Sequence, residues 1–247
     1  MSRPEHPVAR LRAEARVLGS LMRGLPGGAS HAERIEAFYR PQAREYDAFR
    51  RSLLHGREEL LRQLAPAPGE CVAELGAGTG SSLDFLGARS HELRRIDLVD
   101  ISPSLLQVAR ERASAWRNVR VIEADAACYA PGLPLDAVWF SYSLTMMPAW
   151  RDALERALAL LRPGGRIGVV DFTVGSANAP QGRRRHARAA AMLWRTWFAH
   201  DGVRLDSGHL AWLEAHTRCV TLAERAAPLP WLRWLHAPYY VYVGVKP

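Results

Sequence analysis

The sequence predicts an α/β fold, a doubly wound sheet of seven mostly parallel strands with an antiparallel last strand, plus N-terminal helices. From Glu70 onward short apolar runs alternate with helical patterns, as strand-helix-strand units require. A glycine-rich turn, Gly76 to Gly80, follows the first run where a strand should pass into a helix. Between the last two runs there is no crossover helix, only Ala226-Ala227-Pro228-Leu229-Pro230 and a Trp-rich turn, a connection that favours an antiparallel pair at the sheet edge. A chain of 247 residues with 48% hydrophobic residues holds one well-buried core but hardly two. The expected division is a helical segment over 1–68, serving as lid or membrane contact, and one main domain over 69–247.

Taken in order, Val8, Leu11, Ala15, Leu18 and Met22 recur at helical spacing with arginines between them, which predicts a basic amphipathic helix. It either packs on its own domain or lies on a membrane surface. Gly24 to Gly28 breaks it, and a second helical region is expected over about 31–64, ended by Ala65-Pro66-Ala67-Pro68-Gly69. Strands are expected at 71–75, 96–100, 119–123, 137–142, 166–172, 220–224 and 239–245. The clearest helix precedes the fifth strand, with Trp150, Ala153, Leu154, Ala157, Leu158 and Leu161 on one stripe and Pro163-Gly164-Gly165 as its stop. A polar stretch over 176–188, read as a solvated loop, and a Trp-rich helix over 189–199 fill the excursion before the sixth strand.

Composition narrows the function. No stretch approaches the roughly 20 apolar residues of a bilayer span, and the N-terminus lacks the apolar core of a secretory signal. A cytoplasmic protein is expected. Cys71, Cys128 and Cys219 are too few and too scattered for a disulfide framework or a zinc cluster and read as buried free thiols. The formal net charge of +8 suits an anionic partner. Nucleic acid is disfavoured, because the Asp/Asn-Pro-Pro-aromatic segment of base-methylating enzymes is absent after the fourth strand. The nine histidines include no zinc-ligand spacing, and no Gly-x-Ser-x-Gly elbow is present. No metal is expected.

The motifs that carry chemistry lie at strand ends. Glu74-Leu75-Gly76-Ala77-Gly78-Thr79-Gly80 lets a ligand approach the backbone, and position 81 is Ser where a dinucleotide fingerprint needs glycine. Without a pyrophosphate to cradle, this turn plus Glu74 suits the amino-acid end of S-adenosylmethionine. Asp100 closes the second strand where an acid can accept ribose hydroxyls, and Ser102 before Pro103 fills the helix-capping position instead. Glu123-Ala124-Asp125-Ala126 places a carboxylate and a small residue where an adenine edge would lie. Tyr142, at the end of the fourth strand, is read either as core or as part of the site.

With the Leu161-Arg162-Pro163-Gly164-Gly165 turn, residues 70 to 247 resemble the class I S-adenosylmethionine-dependent methyltransferases. A narrower resemblance rests on Tyr46-Asp47 with Arg50, Gly56-Arg57, the Phe140 to Met147 segment, Pro148, Trp150, Gly168 to Phe172, and Pro238-Tyr239-Tyr240 with Gly244. These are similar to the diacylglyceryl-homoserine N-methyltransferases of betaine-lipid synthesis, with Ala77 where that family often has glycine. The resemblance implies a Rossmann-like methyltransferase sheet, S-adenosylmethionine as cofactor, and three methyl transfers to a lipid-borne amine. It implies a cofactor site of Tyr46, Arg57, Glu74, Gly76, Ala77, Gly78 and Gly80, continued by Asp100, Ile101, Asp125, Ala126 and Ser141. Arg50, Trp150, Tyr239 and Tyr240 fall to the substrate, and Tyr142 is the catalytic candidate. The implied partners are an amino-headgroup lipid and an anionic membrane surface, which would hold the protein peripherally on the inner face of the cell membrane. Phosphatidylethanolamine N-methylation, or methylation of another small amine, is the alternative; a nicotinamide oxidoreductase lacks both the third glycine and a lysine relay.

Overall fold

The structure is a computed structural model that describes residues 30–41, 43, 53–175, 185–200, 202–229, 232 and 234–247. The amphipathic helix expected over 8–22, together with Tyr46, Asp47, Arg50 and most of the 176–188 loop, lies outside the described residues.

The N-terminal helical region is interrupted. Helix α1 (His31–Tyr39) opens on a capping box in which the Ser30 hydroxyl accepts the Glu33 amide and the Glu33 carboxylate accepts the Ser30 amide. The chain turns at Arg40 and Pro41, where proline removes the donor that the next helical turn would need. Helix α2 (Arg57–Leu64) starts after Gly56, whose φ of 81° no helix contains.

Seven strands follow: β1 (Cys71–Leu75), β2 (Arg95–Asp100), β3 (Val119–Glu123), β4 (Leu135–Ser141), β5 (Leu161–Phe172), β6 (Arg218–Pro228) and β7 (His236–Val245). Their order in the sheet is β3-β2-β1-β4-β5-β7-β6. The pairs among β1 to β5 are parallel, and β7 runs antiparallel to both β5 and β6. The other α-helices among the described residues are α3 (Ser82–Leu86), α4 (Pro103–Ala113), α5 (Trp150–Leu160), α6 (Arg188–His200) and α7 (Gly208–His216). The stop expected at 163–165 is instead an interruption within β5. Leu161 pairs with Leu135, residues 162–165 loop out, and pairing resumes at Arg166 with Ala137.

Strand alternation divides the core into two layers. Val72, Leu98, Trp139 and Val170 face one side, against α2, α3, α4 and α6. Ala73, Val99, Phe140 and Val169 face the other, against α5 and α7. Under β2 the fully buried Asp97 accepts both arms of Arg120, at 2.7 and 3.1 Å, an Arg95 contact at 2.8 Å and the Tyr129 hydroxyl, so its charge is matched where water is excluded. Of the three cysteines expected to be buried, only Cys71 is; Cys128 sits in the exposed turn after β3, and Cys219 on the open edge strand β6.

Candidate cofactor and acceptor site

The carboxyl ends of β1, β2, β3 and β4 meet at one edge, as strands in an open parallel sheet must, and between them lies a cleft of about 200 Å³. Beyond β1 the chain passes through Gly76 with φ 77°. A Cβ there would fall 2.4 Å from Cβ of Ser143, so only glycine lets the turn run under the opposite wall. The Gly78 amide donates to Asp100 Oδ2 at 2.8 Å, and the Ser102 amide donates to Asp100 Oδ1 at 2.9 Å. Ser102 also caps α4 through the Leu105 amide, with Pro103 next in the chain. Serine caps the helix, as the sequence suggests, while both Asp100 oxygens accept backbone amides. A carboxylate offers about four acceptor positions, enough to brace a loop and take ribose hydroxyls.

Glu74 is buried beneath the turn, where the Ser82 hydroxyl donates to it. Burial pushes its carboxyl up to about 7, against the opposing pull of Ser82 and the positive charge of Arg57. Arg57 itself donates to Ser81 Oγ at 2.9 Å and lies over the Phe85 ring at 5.1 Å, so it braces the turn from behind.

The wall contributed by β4 turns on Tyr142, whose φ of 55° is left-handed. Its hydroxyl donates to the His55 carbonyl at 2.7 Å, and burial raises its pKa well above 10, so it remains a neutral phenol with its ring on the cleft. Ser143 Oγ donates to the Leu75 carbonyl at 2.8 Å. The short 3-10 turn Leu144–Met146 is held by buried Asp171, which accepts the Thr145 amide at 3.1 Å and hydroxyl at 2.7 Å; burial pushes this carboxyl up to about 6.

Of the residues singled out from sequence, Gly76, Gly78, Asp100, Ile101, Asp125, Ala126 and Tyr142 line the cleft. Glu74, Ala77, Gly80 and Arg57 support the turn without lining it. Ser141 pairs with Val170 in the sheet, and the serine on the cleft is Ser143. Trp150 faces away, its ring against His209 at 4.5 Å and its Nε1 donating to Asp206 at 3.1 Å. Tyr239 and Tyr240, neighbours on a strand, project to opposite layers, Tyr239 stacked near His55 and Tyr240 fully buried beside α5 and α7. Neither lines the cleft.

Sequence reasoning missed one wall. His31, Ile35 and Tyr39 of α1 close over the cleft, opposite Met146, Met147 and Pro148. Glu36 anchors that helix, accepting from Ser102 Oγ at 2.7 Å, Ser104 Oγ at 2.9 Å and the Ser104 amide at 3.2 Å. The legible signal was the Ser30-x-x-Glu33 capping box, which fixes where α1 begins. Burial, with Arg34 and Arg204 nearby, holds the His31 imidazole below its ordinary pKa against the opposing pull of Asp125. Among the described residues no group of His, Cys, Asp and Glu is arranged to hold a metal ion, and no helix is long and apolar enough to cross a membrane.

Residues 73–167 match a family described as a methyltransferase domain. The chain is 31% identical over 149 residues to the demethylmenaquinone methyltransferase of Clavibacter sepedonicus, a match covering 56% of this chain and 58% of that one. It therefore spans less than two thirds of that relative's length. Its fold is similar to that of the [4+2]-cyclase SpnF, with a TM-score of 0.65 and 16% identity over 91% of this chain and 98% of that one. It is also similar to N-methyltransferase NodS from Bradyrhizobium japonicum WM9 in complex with S-adenosyl-L-homocysteine, with a TM-score of 0.61 and 16% identity over 87% of this chain and 96% of that one. The sheet order and the glycine turn braced by Asp100 accompany the match of residues 73–167 to the methyltransferase domain family and the fold shared with these solved structures.

Proposed function

We propose that the protein is an N-methyltransferase that converts diacylglyceryl-homoserine to diacylglyceryl-N,N,N-trimethylhomoserine in three methyl transfers. The observation that carries this reading is a convergence. The segments on which the betaine-lipid resemblance rests are far apart in sequence, yet several pack together beside the cleft. Gly56 lies under the Tyr239 ring, where a Cβ would come within 2.7 Å of it. His55 accepts the Tyr142 hydroxyl, and Arg57 holds the glycine turn through Ser81.

S-adenosylmethionine supplies an electrophilic methyl on a sulfonium, and an amine needs only its lone pair aimed at that carbon. Positioning then provides most of the acceleration. In this reading Asp100 and Asp125, both on the cleft, bind the ribose and the adenine, and the glycine turn allows close approach of the amino-acid end. The Tyr142 ring stays neutral and can face the cation that grows as methyls accumulate, a contact worth about 0.5 to 2 kcal/mol. Its hydroxyl is engaged by His55 and takes no proton.

A second reading, C-methylation of a prenylated quinol, is favoured by the match to the Clavibacter enzyme. That chemistry needs a base to make a phenolate, and His31, held neutral beside the cleft, is positioned for it. Purified protein given labelled S-adenosylmethionine with diacylglyceryl-homoserine, phosphatidylethanolamine and demethylmenaquinol in mixed micelles decides between them. Label is expected in the mono-, di- and trimethylated homoserine lipid. Predominant label in menaquinol or in methylated phosphatidylethanolamine would overturn the reading.

A further inference from the structure

Helix α6 is apolar on both sides. Ala191, Trp194 and Phe198, spaced three and four apart, pack into the core. The opposite face carries Met192, Leu193 and Trp197, which are 71%, 51% and 45% exposed. A surface helix normally turns a polar face to water, whereas on this one exposed Arg195 and Thr196 share the outer face with three large apolar side chains. A fourth large exposed apolar residue, Trp234 at 77%, lies in the connection between β6 and β7, where the Leu229 amide donates to the Leu235 carbonyl at 2.9 Å.

These residues share an end of the molecule with the cleft. β6 pairs antiparallel with β7, which pairs antiparallel with β5, so the β6–β7 connection lies at the same sheet edge as the carboxyl end of β5. A row of rings joins the two sites: Tyr142 on the cleft wall is 4.6 Å from Phe172, and Phe172 is 4.4 Å from Phe198 of α6. The chain leaving α6 then returns to the wall, where the Arg204 amide donates to the Thr145 carbonyl at 2.7 Å.

Charge indicates what covers the face. Residues 173–200 contain five arginines and no acidic residue. Arg195, within α6, and Arg185, three residues ahead of it in the chain, are exposed. Apolar anchors of Met, Leu and Trp bordered by arginine match the boundary between acyl chains and anionic headgroups, where tryptophan is enriched.

We propose that the exposed face of α6, Met192, Leu193 and Trp197, together with Trp234, docks the protein onto an anionic bilayer. The edge of the cleft then lies against the lipid surface. This rests on the aminolipid reading for its purpose, but its test does not require turnover.

Full-length protein is sedimented with vesicles of phosphatidylcholine and phosphatidylglycerol, alongside the double variant Met192→Glu/Leu193→Glu and the single variant Trp234→Glu. The native protein should sediment, less so as salt rises. The double variant should lose about tenfold or more in partitioning, while its S-adenosylhomocysteine affinity by calorimetry and its melting temperature stay native. Trp197→Ala, which adds no charge, should lose less. Absence of native binding, or variants that bind as well as native, would overturn the proposal. A native dimer that the variants dissociate in light scattering would also overturn it, assigning the face to a second copy. Native binding that the variants abolish, without methyl transfer to any aminolipid, supports docking and removes the substrate reading alone.

Discussion

Buried beneath the glycine turn, Glu74 ionises near pH 7, and two measurable effects follow. Its folded pKa lies above the ordinary 4.5, so the stability it contributes is present at low pH and is lost as pH rises through about 7. At about 1.4 kcal/mol per unit, Glu74→Gln should gain about 3 kcal/mol on the native protein between roughly pH 5 and roughly pH 8, read from urea denaturation at each pH. A ligand whose ammonium meets this carboxylate favours the ionised form. Binding of S-adenosylhomocysteine should therefore release a proton near pH 6, and affinity should fall about tenfold per unit below 7. Calorimetry in two buffers of different ionisation enthalpy measures that proton; identical heats would separate Glu74 from the amino end of the ligand. At this scale the sequence was most legible at strand ends, since Gly76, Gly78, Asp100, Ile101, Asp125 and Ala126 all reach the cleft. The misplacement of Ser141 for Ser143 has a local cause. Alternation along β4 stops at Tyr142, whose left-handed φ redirects the chain, and no period in the sequence marks that residue.

Among the elements, α1 depends on tertiary contacts that periodicity does not reveal. Its apolar residues Ile35, Phe38 and Tyr39 fit a helix packed anywhere; Glu36, bonded to Ser102 and Ser104, sets it over the cleft. Glu36→Ala should lower cofactor affinity about three- to tenfold, from the loss of hydrogen bonds to a charged group that is only partly buried. Its melting temperature should change by only a few degrees. Calorimetric affinity equal to native would show that α1 stays in place without this anchor. The strands were easier to read because each carries its own burial pattern. β1 and β3 begin and end where expected, whereas β6 and β7 extend further because their partners are each other, which the apolar run alone does not encode. Pro163-Gly164-Gly165 was recognised as a break, yet Leu161 on its near side already belongs to the sheet.

For the whole molecule, the +8 charge is a property that the sequence states without placing. The structure sets exposed Arg195 on the uncovered apolar face of α6, and the order in which strands enter the sheet brings the β6–β7 connection to the same end as the cleft. That order also governs assembly. Strands β1 to β5 can pair as they are made, whereas β6, completed at residue 228, has a partner only in β7, which ends at residue 245. The final strand made is thus inserted between two older ones, a non-local closure that is slow by nature. A chain truncated after Leu229 should keep protected amides in β1, β2 and β4 by hydrogen exchange while β6 exchanges freely, and it should aggregate through the unpaired edge of β5. Protection of β6 in that chain would show that it pairs without β7. On a ribosome, the interval between residues 228 and 245 is a window in which the nascent protein exposes the flank of β5, and chaperone capture would be concentrated in that window.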